Sequence, residues 1–412
     1  MIMHNKHYDV IIVGAGAAGL MTAITAARGG LKVLLLEGQK KVGAKILMSG
    51  GTRCNVTNKK VSEKDYSSER LIDVRNILRS FDNQKTIHFF KELGVELILE
   101  PTGKYFPTTN SGKTVLDALL REVTQVGVEL LTERKVLAVR KIDQGFVVQG
   151  EGFQLEASAV VLTTGGLSYP GTGSDGVGYR LAQTFGHGMI ETIPALTPLT
   201  TKDADFKSLS GITLDVTLNL ISDGKKIFST RESFLFTHLG FSGPAALDIS
   251  RHYLRAKEPR EITINFMGDQ NPEIFQQHLL ALQQNNSRKA LKNILLEHMP
   301  QRLVDALLKK SGIDALTLMN QLNRESRQRI IQNCFRCLLP ISGVVGYTKA
   351  EVTAGGISFA EINSKTLESQ LQPGLFFAGE ILDVDDRIGG FNFQWAWASG
   401  YTVAQALINE RK

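Results

Sequence analysis

The pattern of apolar positions near the start of the chain predicts a strand, a tight turn and a helix. Residues 8–13, "YDVIIV", form a short β-branched apolar run, as expected of a strand buried in a parallel sheet. The helix-forming segment "LMTAITAAR" follows, and the glycine pair at 29–30 ends it. A second apolar run over 32–36 comes next, so the chain opens with a strand–helix–strand unit.

Further along, apolar spacing predicts helices over 71–81 and 83–93, and a third between Ser111 and Gly127. Short strands fill 129–164, and their alternation predicts a meander on one edge of the main sheet. A last helix is expected from about Phe393 to Asn409, beginning near Gly390.

A shift in composition at "IPALTPLTT" predicts a domain boundary near residue 193. The expected organisation is a nucleotide-binding domain over 1–193, a β-rich module over 194–271, a basic helical module over 272–337, and a return to the first domain over 338–412. The fold class is therefore α/β, with a Rossmann-type domain split by two inserted modules.

Composition adds two expectations. Three cysteines, Cys54, Cys334 and Cys337, cannot form a disulfide framework, which favours a reducing compartment and a cytoplasmic location. The pair Cys334 and Cys337 has no second pair to complete a metal site, so no metal is expected. The uncharged run from Val10 to Ala27 contains three glycines near its start and is not expected to span a membrane.

The positive charge is concentrated in one segment. Residues 286–337 contain ten Lys or Arg and four acids, and 10 minus 4 equals the net charge of the whole chain, +6. This segment is either a solvated helical surface or a face for an anionic partner such as RNA. The candidate RNA-binding residues are Arg288, Lys289, Lys292, Lys309, Lys310, Arg324, Arg327 and Arg329.

The first turn of the chain matches a dinucleotide-binding motif. Gly14, Gly16 and Gly19 give G-x-G-x-x-G between strand and helix, where they permit a tight turn, close approach of a pyrophosphate and close helix packing. Glu37 ends the second strand and can accept hydrogen bonds from ribose hydroxyls. Because a carboxylate repels a 2′-phosphate, the motif favours FAD or NAD over NADP.

A similar glycine pattern at Gly171, Gly173 and Gly176 does not directly follow a strand, and Pro170 interrupts it. We interpret it as a loop that lines a ligand. Without a second convincing motif, NAD(P)H is expected to bind only transiently, if it binds.

Five segments together resemble a known family. "VGAGAAGLMTA", "GAKILMSGGTRCNVTN", "TTGGLSYPGTGSDG", "FTHLGFSGPAAL" and "GLFFAGEILDVDDRIGGFNFQWAWASG" resemble the YhiN-like flavoproteins, also called the BaiN/RdsA family, over essentially the whole chain. The resemblance implies FAD as the cofactor. The stretch "DVDDRI" lies where the family varies, so the resemblance assigns no role to Asp386 or Arg387.

The expected FAD contacts come from both ends of the chain. They are Gly14, Ala15, Gly16, Ala17, Ala18, Gly19, Glu37, Gly38, Lys45, Ser49, Gly50, Gly51, Arg53, Asn55, Val136, Thr164, Gly165, Gly166, Gly379, Glu380, Gly389, Gly390, Phe391 and Asn392.

Two residues are candidates for handling a proton. Cys54 follows Arg53, and an adjacent cation can lower a thiol pKa; the alternative is a buried cysteine packed beneath the cofactor. His238 lies before a helix expected near Pro244; the alternative is a histidine hydrogen-bonded to backbone at the helix entry.

The resemblance implies reduction of a carbon–carbon double bond. Family substrates include uridine in large-subunit rRNA and bile-acid enones, and small amines are oxidised by some members. The basic segment favours 23S rRNA, with NAD(P)H as reductant. A small-molecule reductase or oxidase, and a non-catalytic redox-sensing flavoprotein, are the alternatives.

Overall fold

The computed structural model describes residues 7–411, which form two compact units. The first unit comprises Met1–Pro194 and Glu351–Lys412, and the second comprises Ala195–Ala350.

The strands, in chain order, are β1 His7–Val13, β2 Val33–Leu36, β3 Thr57–Asn58, β4 Tyr66–Ser67, β5 Leu97–Leu99, β6 Lys104–Pro107, β7 Glu129–Leu131, β8 Val136–Ile142, β9 Gly145–Gly150, β10 Phe153–Leu162, β11 Met189–Ala195, β12 Leu199–Thr201, β13 Thr213–Ser222, β14 Lys225–Phe236, β15 Gly240–Ser242, β16 Arg260–Asn265, β17 Cys337–Leu339, β18 Ile341–Val344, β19 Val352–Ile357, β20 Leu375–Phe377 and β21 Asp385–Asp386.

The α-helices are α1 Ala17–Arg28, α2 Ala44–Met48, α3 Leu71–Ser80, α4 Asn83–Glu92, α5 Gly112–Gln125, α6 Val177–Gln183, α7 Ala204–Ser208, α8 Gly243–Arg255, α9 Pro272–Gln284, α10 Leu291–Leu295, α11 Gln301–Lys310, α12 Arg324–Phe335 and α13 Phe391–Glu410.

The main sheet of the first unit has the order β7-β2-β1-β10-β9-β8, and β20 pairs with β10. Strands β7, β2, β1, β10 and β20 are parallel, whereas β10, β9 and β8 form the predicted antiparallel meander. Two details differ from the prediction. Strand β7 pairs with β2 on the opposite edge. Residues 153–162 form one long strand in place of the short ones expected, because the strand pairs with β9 along one edge and with β1 along the other.

Helices α1 and α13 pack closely in the first unit because small residues meet at their contact. A Cβ on Gly400 would lie 2.6 Å from the Ala18 carbonyl oxygen, and the Thr22 hydroxyl donates to the Gly400 carbonyl at 3.2 Å. Both helices are apolar on nearly all sides, as expected for elements buried in a core. The two tryptophans, Trp395 and Trp397, are buried in α13.

The second unit has its own core. Its antiparallel sheet has the order β17-β16-β13-β14-β15-β12-β18, and apolar residues of α8 to α12 share the same hydrophobic cluster. The β-rich and helical segments therefore belong to one unit. The chain returns to the first unit at residue 351 rather than 338, because β17 pairs with β16 and β18 pairs with β12.

Within residues 7–411, no helix is long and apolar enough to cross a membrane.

Candidate functional site

The turn between β1 and α1 gives each of its three glycines a separate steric role. Gly14 has φ +107°, and a Cβ there would lie 2.6 Å from the Thr163 carbonyl oxygen. A Cβ on Gly19 would overlap the Gly14 carbonyl oxygen, so this glycine is needed for helix packing. At Gly16 a Cβ would meet no described atom within 4 Å, so its missing side chain leaves open space at the start of α1. Helix α1 has no acidic residue in its first turn, which suits an anion.

Glu37 lies beside this turn, directly after β2. Its Oε2 accepts from the Ala15 backbone N–H at 2.9 Å and its Oε1 from the Gln39 N–H at 2.8 Å. Burial raises the pKa of Glu37 although these backbone hydrogen bonds oppose the shift. A Cβ built on Gly38 would lie 3.6 Å from Lys135. Val136, which follows Lys135, is buried at the start of β8.

The loop after β10 runs along the same edge of the sheet. The Thr163 hydroxyl donates to the Gly14 carbonyl oxygen at 2.7 Å and so fixes the first turn. Gly165 has φ +71°, and a Cβ on Gly166 would overlap the Thr353 hydroxyl. Gly173, in the second glycine pattern, places a built Cβ 3.7 Å from Glu37 Oε1. That loop therefore lies beside the carboxylate predicted to bind ribose.

A polar network joins residues from four segments of the first unit. Lys45 Nζ is 2.6 Å from Glu380 Oε2 and donates to the Ser168 hydroxyl at 2.7 Å. Glu380 Oε1 accepts from the Ser168 hydroxyl at 2.6 Å and from the Thr353 N–H at 2.9 Å. Burial of Glu380 favours its neutral form, but Lys45 and these hydrogen bonds outweigh burial and hold its pKa below the ordinary value.

Thr164 and Gly379, which are also expected to contact FAD, interact mainly with neighbouring helices of the protein. A Cβ on Gly178 would overlap the Thr164 hydroxyl, which places Thr164 against α6. The Gly379 N–H donates to the Ser399 hydroxyl at 2.9 Å, and its carbonyl accepts from Trp395 Nε1 at 3.1 Å. The peptide groups of Gly379 are thus already occupied by α13.

The start of α13 meets the loop after α2. Gly390 has φ +89°, and a Cβ there would lie 2.6 Å from Asn55 Oδ1. The Gly389 carbonyl accepts from Asn58 Nδ2 at 3.0 Å. Phe391 is buried against Tyr66, with ring centroids 6.1 Å apart, whereas Asn392 is partly exposed. Phe391 is thus a core residue.

Cys54 is completely buried and has φ +63°. Its N–H donates to the Ser49 carbonyl at 3.0 Å, which closes the loop containing Gly50 and Gly51. The expected lowering of its pKa by Arg53 is wrong. Arg53 instead donates to Glu100 at 2.7 Å and stacks over Phe106, and burial raises the pKa of the Cys54 thiol to about 12.

His238 belongs to the second unit and is exposed in the turn between β14 and β15. The turn is closed by the Thr237 N–H, which donates to the Gly240 carbonyl at 2.8 Å. Because α8 begins at Gly243, His238 does not lie at the helix entry.

Only some of the Lys and Arg residues in the basic segment of the second unit are exposed and unpaired, so only some can bind an anionic partner. Arg327 is buried and donates to Gln283 at 2.6 Å, so its expected place on an RNA-binding surface is wrong. Lys289, Lys292 and Lys309 pair with Glu297, Asp305 and Asp205 at 2.5, 2.5 and 2.7 Å. The exposed cations without a carboxylate partner among the described residues are Arg288, Arg302, Lys310, Arg324, Arg329 and Arg336.

Sequence reasoning missed several residues that hold the site together. Ser168 and Thr353 complete the Lys45–Glu380 network, and Thr163 fixes the glycine turn. Gln394 is buried in α13, where its Oε1 accepts from Thr57 at 2.6 Å and Thr86 at 2.9 Å. The sequence signal available for Ser168 was its place in the segment that follows a buried parallel strand, where ligand sites form.

Comparisons with known proteins identify the family of the chain. The model of the HI0933-like protein Rossmann domain matches residues 8–406. The chain belongs to this family. It is thus an FAD-dependent oxidoreductase with a Rossmann-type domain, which confirms the predicted fold class and the resemblance drawn from the motifs.

Three relatives of this family member span nearly its full length. It is 36% identical to a ribosomal RNA dihydrouridine synthase of Escherichia coli, covering 98% of each chain. It is 33% identical to the Haemophilus influenzae protein of the same name, covering 98% of this chain and 100% of the relative. It is 32% identical to a 3-dehydro-bile acid delta(4,6)-reductase of Clostridium scindens, covering 96% and 98%.

A solved structure has the same overall fold. The 3-ketosteroid delta1-dehydrogenase of Sterolibacterium denitrificans has a TM-score of 0.51 with 14% identity, covering 98% of this chain and 100% of that one. At this identity the likeness shows the fold alone.

The residues present fit FAD on two observations. Gly16 leaves open space at an α1 N-terminus that lacks acidic residues, where a pyrophosphate is favoured. Asn55 Oδ1 is buried without a hydrogen-bond partner among residues 7–411, at the start of α13. All the expected FAD contacts belong to the first unit.

Proposed function

We propose that this protein reduces a uridine of 23S rRNA to dihydrouridine in the cytoplasm, with NAD(P)H as reductant. The observation that carries the proposal is full-length similarity to two proteins named ribosomal RNA dihydrouridine synthase. The net reaction adds a hydride and a proton across the C5=C6 bond of uracil, and NAD(P)H is oxidised.

FAD, when bound, supplies hydride-transfer chemistry at its ring nitrogen N5. In this proposal the glycine turn after β1 and Glu37 hold the nucleotide part. The Lys45–Glu380 pair lies at the carboxyl ends of β10 and β20 and would hold the ring end.

The proton has two candidate donors. The Cys54 thiol keeps its proton at neutral pH because burial raises its pKa, but it is completely buried and requires a local opening to reach a substrate. His238 is exposed, and an imidazole is a common proton donor in enzymes. Replacing each by Ala and measuring single-turnover dihydrouridine formation identifies the donor as the variant with at least a hundredfold slower reaction.

The exposed cations of the second unit support an RNA substrate. Long polyanions reward clustered Lys and Arg through counterion release, so binding should weaken steeply with salt. Replacing Arg288 and Arg324 by Glu should weaken binding of an rRNA fragment and reduce its salt dependence, whereas FAD content stays the same.

The decisive experiment is mass spectrometry of 23S rRNA from a strain that lacks the gene. The proposal expects loss of a two-dalton increment on one uridine and its restoration by the purified protein with NADH or NADPH. An unchanged spectrum would remove rRNA as the substrate.

Similarity to the bile-acid reductase supports a second candidate, reduction of a small enone. That activity would be insensitive to salt and would not need the exposed cations. Turnover of a bile-acid enone together with an unchanged rRNA spectrum would favour it.

A further inference from the structure

An unsatisfied amide oxygen is buried where the loop after α2 meets α13. Asn55 is 8% exposed, and its Oδ1 has no hydrogen-bond partner within residues 7–411. The next residue is held firmly, since the Val56 N–H donates to the Tyr105 carbonyl at 2.9 Å and Trp397 Nε1 donates to the Val56 carbonyl at 3.0 Å. A buried acceptor without a donor costs about 1–3 kcal/mol, so this position calls for a ligand that donates.

The start of α13 lies directly beside this acceptor. A Cβ on Gly390 would lie 2.6 Å from Asn55 Oδ1, so glycine leaves the amide in contact with the helix start. Among the described residues no side chain caps α13, and its first turn contains no acid. The first backbone N–H groups of a helix have no partner within it and carry partial positive charge.

We propose that Asn55 and the first turn of α13 bind the imide edge of a planar heterocycle, O=C–NH–C=O. Asn55 Oδ1 accepts from the imide N–H, and backbone N–H groups of α13 donate to a flanking carbonyl. This inference rests on the proposed function. Two ligands of that function carry an imide edge, the isoalloxazine ring of FAD and the uracil base of the substrate. Adenine has no such edge, so the adenine end of FAD does not suit this position.

The nearby Asn58 shows why Asn55 is the exception. Asn58 Oδ1 accepts from the Lys60 N–H at 3.2 Å, and its Nδ2 donates to the Gly389 carbonyl at 3.0 Å. Its amide therefore holds the turn before α13 in place. The Asn55 oxygen is left for a ligand.

The test compares ligands that differ only in the imide N–H. Apoprotein is titrated with FAD and with FAD methylated at N3, following flavin fluorescence. Wild-type protein should bind FAD at least about tenfold more tightly, the value of one buried hydrogen bond. Asn55→Ala should bring this ratio close to one, and Asn55→Asp, which keeps an acceptor, should retain it.

Asn83→Ala is the matched control. Asn83 Nδ2 donates to the Asn58 and Lys59 carbonyls at 3.1 and 2.9 Å, so it supports the same loop without contacting Gly390. This variant should keep the wild-type ratio. A ratio that falls equally in Asn83→Ala would overturn the proposal, because loosening of the loop would then explain the loss.

A second comparison separates the two sources of the imide. Protein loaded with FAD is titrated with rRNA fragments containing uridine or 3-methyluridine at the modified position. If Asn55→Ala removes discrimination between the RNAs and not between the flavins, the imide is that of uracil. If wild-type protein discriminates neither pair, the proposal is overturned, and this result does not depend on whether Asn55→Ala folds.

Failure of the proposed function gives a different result. If the rRNA contains no dihydrouridine, rRNA is removed as the substrate. If wild-type protein still prefers FAD over its N3-methyl form and Asn55→Ala abolishes this preference, the assignment of Asn55 to the flavin is supported.

Discussion

At the scale of single residues, the Lys45–Glu380 pair is an ion pair buried within the candidate site. Both side chains are mostly buried, at 29% and 17% exposure, and Glu380 also accepts two other hydrogen bonds. Removing one partner of a buried pair leaves the other charge without compensation, and this loss is larger than the net value of the pair.

Glu380→Gln should therefore lower the free energy of unfolding of the apoprotein by about 2 kcal/mol, below the range for fully buried pairs because of the residual exposure. Urea denaturation measures this difference. Asp117→Asn is the control, because the Lys113–Asp117 pair is exposed and should contribute less than about 0.5 kcal/mol. Equal losses in the two variants would contradict the prediction.

The same pair predicts a dependence on pH. The folded-state pKa of Glu380 is lower than the ordinary value of 4.5, so the unfolded state binds a proton more readily. The contribution of the carboxylate is thus complete above pH 4.5 and is lost as the pH falls through the lower folded-state pKa. The stability difference between wild type and Glu380→Gln should narrow only in that acidic range.

The cysteines give a second prediction for single residues. Cys54, Cys334 and Cys337 are buried, and burial raises their pKa values to about 12, 12 and 11. Native protein at pH 8 should react with none of its three thiols when treated with a disulfide reagent, and all three should react in guanidinium. If one thiol of native wild-type protein reacts rapidly with the reagent and this reaction is absent in Cys54→Ala, Cys54 is activated and the prediction is wrong.

At the scale of elements, two glycines of the β1–α1 turn have different roles. Gly19 is needed for close packing, and Gly16 leaves open space. Gly19→Ala should destabilise the apoprotein by about 2 kcal/mol or more, because its Cβ overlaps the Gly14 carbonyl. Gly16 has φ −82° and open space, so Gly16→Ala should change apoprotein stability by less than about 1 kcal/mol yet weaken FAD binding at least tenfold. Thermal melting and flavin titration of both variants test this contrast. Normal FAD affinity in Gly16→Ala would refute the role of Gly16.

The elements that the sequence predicted well are those specified by local patterns. The glycine turn, α1, the β8–β9 hairpin and α13 each depend on residues close together in the chain. The edge position of β7 was missed because pairing with β2 joins segments almost a hundred residues apart. The Lys45–Glu380 contact joins residues 335 positions apart, and no local periodicity indicates such a pair.

At the scale of the whole molecule, the two expected ligands are assigned to different units. The FAD contacts all lie in the first unit, and the exposed cations expected to bind RNA lie in the second. Composition predicted the excess charge of the basic segment. It did not predict which cations are paired or buried. Lys309 pairs with Asp205 and the buried Arg327 donates to Gln283, and both of these partners lie outside the segment.

Because each unit has its own hydrophobic core, thermal unfolding should show two transitions. Both tryptophans lie in α13, so tryptophan fluorescence follows the first unit, whereas far-ultraviolet circular dichroism follows both. Adding FAD to a hundred times its Kd should stabilise the first unit by about 2.7 kcal/mol and shift the fluorescence transition upward. An rRNA fragment should shift the other transition, and 0.5 M salt should abolish only that shift. A single transition that moves as a whole with either ligand would show that the two units unfold together.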